Sequence, residues 1–257
     1  MICLFGIHNA LFNLPKDQIT EFRYPNEVDI VCHTLRLHPN IVNIAGVRPD
    51  RLEPGRYRVI MGYCSGGSLW EAIDWWSTKR RSPIPEPFLL HAFVQMAGAL
   101  AFIHFGYRSR GDGTYYQDAC HRPVSHGDVK EDNFFLRWTD TPTGGMPEID
   151  LGDLGIAKLA GNRNARLGAG TWEYHAPEDV QIYGQHKYTW ENGRIFWKAV
   201  NSRSVAMDVC SMGQIWYKMA AREHPCWPIG KDPAEIRISR EYKDPAHTLM
   251  LRNSDLS

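Results

Sequence analysis

"SHGDVKEDNFF", residues 125–135, sets charged and amide groups beside residues suited to a core. Asp128, Lys130 and Asn133 stand at positions i, i+2 and i+5, and Val129, Phe134 and Phe135 interleave with them. Two readings are open at this point. In one, the stretch is an ordinary polar loop whose Asp and Asn serve as turn residues. In the other, it aims oxygen acceptors at a metal and at a hydroxyl, and its apolar residues hold it in place.

"IDLGDLGIAK", residues 149–158, supplies a second carboxylate. Asp153 follows the apolar run Ile149–Leu151, broken only by Asp150, and precedes Leu154-Gly155. A short strand ending in a tight turn projects such a residue into a cleft. Phosphoryl transfer depends on positioning of charge more than on covalent chemistry. It asks for a carboxylate to orient the nucleophile's proton, oxygen ligands to hold Mg²⁺ and a cation near the transferred group. Asp128, the pair Asn133 and Asp153, and Lys130 match those needs.

The composition allows a catalyst of this kind. A chain of 257 residues can bury a sizeable core and lies near the upper size of one domain. Apolar content of 43% and charged content of 23% belong to a globular protein. The formal net charge is zero, so no global field draws the protein to nucleic acid or to an acidic membrane, and neither is expected as a partner. The run "KRRS", 79–82, reads as a solvated loop. Six scattered cysteines without C-x-x-C spacing read as reduced thiols of a cytoplasmic or nuclear protein. The apolar start "MICLFGIHNALFNL" lacks a basic n-region and a cleavage pattern, so no signal peptide is expected. No run of about 18 uninterrupted apolar residues predicts a transmembrane helix.

Working outward, residues 26–37 have near-helical apolar spacing and run into His38-Pro39-Asn40, which stops them. "IVNIAGV" and "YRVIMGY", 41–47 and 57–63, read as strands. "SLWEAIDWW" reads as a helix with Ser68 at its N-cap. Residues 88–105 form the clearest helix, with Leu89, Phe93, Met96, Leu100 and Ile103 along one apolar face. Residues 106–124 read as a surface insertion, 137–148 as an excursion between short strands, and 207–221 as another apolar helix. Sheet first and helices later predicts α+β. His104 and His126 are expected to be packed, structural histidines.

Taken in order, these stretches resemble the eukaryotic protein kinase superfamily of serine/threonine type. "HGDVKEDN" is similar to the catalytic loop H-R-D-x-K-x-x-N, with Gly127 in the arginine's place. "GDLG" resembles the D-F-G metal loop with leucine for phenylalanine. "GTWEYHAPE", 170–178, resembles the end of the activation segment, and "DVCSMG", 208–213, the helix start that braces the catalytic loop. "VIMGYCSGGSL" resembles the strand, hinge and helix where adenine docks, and "HPNIV" the link after the regulatory helix. Together they span about residues 26–221.

The resemblance implies a bilobal fold with a truncated small-lobe sheet and a mainly helical large lobe. One domain over 1–257 is expected, with 1–64 as partial small lobe and hinge, and 65–257 as a large lobe with an incomplete C-terminal end. It implies ATP and Mg²⁺ as ligands and a protein as substrate. Asp128 would be the catalytic base, and Lys130 would contact the γ-phosphate. Asn133 and Asp153 would hold the metal. Thr171 would bond near Asp128 and Lys130. Met61 would be the gatekeeper, the Cys64 backbone would meet adenine, and Ser68 would lie near the ribose.

Departures from the pattern are specific. Residues 1–25 contain no G-x-G-x-x-G and no strand lysine, and Lys16 is the only lysine there. The regulatory-helix acid is either Glu27 or Asp29. Glu178 lacks a clear late arginine, with Arg252 as the candidate. Gly127 removes the side chain that grips a phosphorylated loop, and no Ser, Thr or Tyr lies between Asp153 and Thr171. Regulation by phosphorylation there is therefore not expected. Two alternatives remain: a pseudokinase scaffold that binds a partner without catalysis, and a small-molecule phosphotransferase with an H-G-D loop. Lys130 and the full "GTWEYHAPE" segment oppose the latter.

Overall fold

A computed structural model describes residues 25–50, 57–140, 144–160, 170–176 and 205–222. Helix α1, Asn26–Val28, continues as a π-helix over Asp29–Leu35. Val28, Ile30, Val31 and Leu35 face the interior. The helix stops two residues before the expected end because Arg36 turns to a left-handed φ of 62°. Arg108 donates to the freed carbonyls of Leu37 at 2.7 Å and Leu35 at 3.4 Å.

Strands β1, Ile44–Pro49, and β2, Tyr57–Met61, pair antiparallel with a bulge between Ile44 and Gly46. The first strand starts later than the sequence pattern predicts. Ile41 forms a parallel bridge to Leu151, and the Val42 amide donates to the Leu151 carbonyl at 2.9 Å. Residues 41–42 therefore serve the sheet beneath the cleft, and β1 forms only after them.

Helix α2, Leu69–Asp74, opens at Ser68 as expected: its hydroxyl accepts from the Glu71 amide, and Glu71 closes the capping box. Helix α3, Glu86–Phe105, ends at Gly106, whose φ of 74° suits glycine and where a Cβ would fall 2.5 Å from His121. Among the described residues α3 alone has the length and apolarity to cross a membrane. It is instead the core helix: Met96, Leu100, Phe102 and Ile103 are buried, and it packs on the strand Glu148–Leu151 and the last described helix. Phe93, expected on the buried stripe, is exposed and leans on Trp216 with ring centroids 5.4 Å apart. Ala92 and Ala99 take the inward positions instead, because close helix packing needs small residues there.

The insertion after α3 is an ordered hairpin, β3 Tyr107–Ser109 with β4 Tyr115–Gln117. Arg108 of β3 lies over the Phe102 ring at 4.4 Å, and that ring stacks on His38 at 4.1 Å. Two small antiparallel pairs follow. β5, Val124–Ser125, pairs with β8, Lys158–Leu159; β6, Phe134–Arg137, pairs with β7, Glu148–Leu151. Helix α4, Val205–Ala221, supports them from below, with Met212, Ile215 and Met219 buried. Burying each such side chain stabilises the fold by about 1.5–3 kcal/mol. The architecture is α+β, and most of its described buried apolar residues form one cluster that draws on α1, α3, α4 and the strands.

Candidate active site

The site is built upward from Asp208 on α4. Its side chain is only 2% exposed. A charge so placed needs several donors to replace water. Oδ2 accepts from the His126 amide at 2.7 Å and from His104 Nε2 at 2.9 Å, and Oδ1 accepts from the Gly127 amide at 2.9 Å. Burial works to raise the pKa. The His104 hydrogen bond, the two nearby imidazoles and the Gly127 amide outweigh it, and the carboxyl lies below its usual range. Gly127 has a φ of 81°, a backbone shape that glycine adopts without strain.

His126 joins two loops. The Asp128 amide donates to Nδ1 at 3.2 Å, so the ring proton resides on Nε2 and is donated to the Gly152 carbonyl at 2.9 Å. Both histidines are the structural residues expected from the sequence.

Above this brace, Asp128 Oδ1 accepts from the Thr171 amide at 2.6 Å, and Oδ2 pairs with Lys130 Nζ at 2.9 Å. Lys130 Nζ also donates to Thr171 Oγ1 at 2.8 Å. Burial pushes the Asp128 pKa upward; the Lys130 and Thr171 hydrogen bonds and the Lys130 charge overcome it and leave the carboxyl below its usual range. Asp128 is thus a carboxylate at neutral pH, half-buried and half-open to the cleft.

Asn133 is buried at the end of the short 3₁₀ turn Glu131–Asn133. Its Nδ2 donates to the Asp128 carbonyl at 2.8 Å and lies 3.3 Å from Asp128 Oδ2. The amide nitrogen is used inward, which leaves Oδ1 as the acceptor. The Gly152 amide donates to the Asn133 carbonyl at 2.9 Å, so Asp153 leaves its strand beside Asn133. Asp153 is exposed and has a φ of 58°, an uncommon shape for a residue with a side chain. Strain of this kind costs about 1–3 kcal/mol and persists where neighbours enforce it.

The donors fit a hard cation: a carboxylate and an amide oxygen are the ligands Mg²⁺ takes, with water completing the shell. Among the described residues no group of three His, Cys, Asp or Glu side chains gathers to hold a metal.

The choice between Glu27 and Asp29 resolves in the structure. Glu27 is buried, and its Oε1 accepts from the Leu154 amide at 3.3 Å. Burial, and then the charge of Asp153, raise its pKa. Asp29 is exposed and pairs with His33 at 3.1 Å. Glu27 is therefore the helix acid that reaches the metal loop.

Met61 ends β2 half-buried opposite Ile44, and Cys64 follows in the connection to α2. Burial and the Asp150 charge push the Cys64 thiol up to about 12, against the effect of Arg137. The connection is stitched to β6: the Gly66 amide donates to the Leu136 carbonyl and the Leu136 amide to that of Gly67, each at 2.8 Å. Ser68 bridges to Phe135, next to Phe134 and Asn133, although its hydroxyl is engaged as the helix cap. The fold thus places Cys64 and Ser68 on a segment bound to the strand that follows the catalytic loop. Lys16, Glu178 and Arg252 lie outside the described residues.

Two contacts at the site left no trace in the sequence reading. Glu131 is fully buried and accepts from Lys218 Nζ of α4. Asn26 Nδ2 lies within hydrogen-bond reach of three carbonyls of the metal loop: Leu154 at 3.2 Å, Gly155 at 3.1 Å and Ala157 at 2.9 Å. Asn26 is 128 positions from Leu154 in the chain, beyond any local pattern.

Known proteins are similar to this chain over most of its length. The human serine/threonine-protein kinase Nek5 is 30% identical over 215 residues, covering 83% of this chain and 24% of that protein. Mouse Nek4 is 26% identical over 189 residues, covering 73% and 18%. Human mitogen-activated protein kinase kinase kinase 13 is 24% identical over 208 residues, covering 80% and 18%. The chain therefore spans about a quarter or less of the length of these relatives. The family model described as protein kinase domain matches residues 12–252. With Asp128, Lys130, Asn133 and Thr171 gathered at one loop and Asp153 anchored beside it, the chain belongs to the protein kinase domain family.

Proposed function

We propose that the protein transfers the γ-phosphate of ATP to a serine or threonine hydroxyl of a protein substrate. The observation that carries this reading is the Asp128 carboxylate, ionised and held on both oxygens by Lys130 and Thr171 beside Asn133. Asp128 orients the incoming hydroxyl and accepts its proton as the oxygen–phosphorus bond forms and ADP departs with its bridging oxygen. Lys130, fixed between Asp128 and Thr171, presents positive charge to the transferred group. Asn133 and Asp153 are the residues that would hold Mg²⁺, which neutralises phosphate charge when bound. Met61, Cys64 and Ser68 line the strand and connection where the adenosine part of ATP would lie.

Four described cysteines, Cys32, Cys64, Cys120 and Cys210, are free thiols, which supports a reducing compartment, cytoplasm or nucleus. A second reading, a partner-binding module without catalysis, is favoured by the sequence of residues 1–25, which has no Gly-rich phosphate loop.

Transfer of labelled phosphate from ATP to a generic protein substrate separates the two. Asp128→Asn is expected to lower the rate by about 10²–10⁴-fold, the span of general-base contributions. Equal label in wild type and Asp128→Asn removes the catalytic reading and leaves the binding module.

A further inference from the structure

We infer that Asn26 is a positioning residue for the metal ligand Asp153, and that it acts as the second jaw of a clamp on the metal loop. The inference rests on the proposed metal role of Asp153.

Asp153 has a left-handed φ of 58° and is exposed, so it makes no buried packing that would impose this shape. Its own amide bonds to the Glu27 carboxyl, and its two neighbours in the chain are tied as well. On one side Gly152 is bonded through both polar groups to the catalytic loop: its amide to the Asn133 carbonyl and its carbonyl to His126 Nε2, each at 2.9 Å. On the other side Leu154 is bonded through both polar groups to the start of α1. Its amide donates to Glu27 Oε1 at 3.3 Å and its carbonyl accepts from Asn26 Nδ2 at 3.2 Å.

Asn26 extends that second jaw. One amide nitrogen carries two hydrogens, and three carbonyls stand within 3.2 Å of it, so the hydrogens are shared across the turn 154–157. The same turn is closed by the Ala157 amide on the Leu154 carbonyl at 3.1 Å. Without Asn26 the Leu154 carbonyl keeps the Ala157 amide, while the Gly155 and Ala157 carbonyls lose the Asn26 donor, at about 0.5–1.5 kcal/mol for a typical hydrogen bond. Asn26 is a side-chain donor that reaches all three carbonyls of the turn at once.

Groups that hold the surroundings of a metal ligand govern affinity through geometry, and Asn26 holds the backbone that follows Asp153. Asn26 touches neither metal nor substrate. Its loss should free the turn and spread Asp153 over other conformations, weakening the cation site while Asp128, Lys130 and Thr171 keep their places.

The test uses Mn²⁺ as the probe, titrated by electron paramagnetic resonance into the full chain with a nonhydrolysable ATP analogue, together with amide exchange of residues 153–157 in metal-free protein. Asn26→Ala is expected to weaken Mn²⁺ binding about 10-fold or more, within the range for groups that support a ligand. Asn26→Asp, which sets a carboxylate against three carbonyls, should weaken it further. Both variants should exchange the Leu154 amide faster without metal, and the His126 amide at the wild-type rate. Unchanged Mn²⁺ affinity in Asn26→Ala, with binding still lost in Asp153→Ala, overturns the positioning role. Wild-type binding that does not depend on Asp153 overturns the metal role of that residue and the inference with it. Global loss of protection in Asn26→Ala also overturns it, because Asn26 would then hold the fold as a whole.

Discussion

The catalytic loop, residues 126–133, and the metal loop, residues 152–157, lie side by side but are anchored differently. The catalytic loop rests on α4 and α3. Asp208 takes its two amides, His104 braces Asp208 from behind, and Glu131 is tied to Lys218. All of these side chains but Lys218 are buried, and they belong to or rest on the two longest described helices. The metal loop is bonded to that loop on one side only. Its other side hangs on Asn26 and Glu27, the first residues of α1. Asp128 is therefore anchored to the large helical body, whereas the loop of Asp153 is anchored in part to the start of α1.

The contrast can be broken most severely at Asp208. Asp208→Ala strands two amides and an imidazole in a dry interior and should cost about 3–5 kcal/mol, read as a lower urea midpoint. The folded carboxyl lies below its ordinary value of 3.8, so its contribution is present above that pH and fades as pH falls beneath it. The gap between wild type and Asp208→Asn should accordingly narrow below about pH 3.8. A gap independent of pH would mean that Asp208 contributes through shape and not through charge.

At the upper face of the same loop, Lys130→Met removes the cation that helps hold Asp128 in its ionised form. The acid limb of kcat/KM should then move to higher pH, because the base protonates more readily. An unmoved limb would assign that titration to another group.

The smallest expected effect lies at the far end of α1. Arg108→Ala removes two hydrogen bonds to the Leu35 and Leu37 carbonyls and a cation–π contact with Phe102. A loss of about 0.5–1.5 kcal/mol is expected. If α1 positions the metal loop, the variant should also raise the Mg²⁺ concentration needed for half-maximal rate while the pH profile of Asp128 stays put.

Much of this was legible in the chain. The Ser68 cap, the α3 and α4 spans and the loop order follow from local spacing, since capping and periodicity act over a few residues. Asp128, Lys130, Asn133 and Thr171 could be named because each sits in a contiguous motif. Phe93 was misplaced because periodicity gives a stripe, while the neighbouring helix decides which part of it is covered. The start of β1 shifted because Ile41 and Val42 found partners on β7, a choice made by residues more than a hundred positions away. Glu27 and Asp29 looked equivalent in the sequence. Only the wide π-helical turns after Val28, and the position of the Leu154 amide, distinguish the buried acid from the exposed one.

Short-range chemistry written in the chain determined the kind of protein this is: a carboxylate, a lysine and an asparagine on one loop, and a second aspartate at the end of a strand. The folded molecule alone decided what holds them, namely Asp208 beneath one loop, and Asn26 with Glu27 across the other. The reason is physical. A motif specifies the groups that do the chemistry within a few bonds of one another, but the donors that satisfy buried amides and carbonyls are whichever side chains the packing of distant elements brings near.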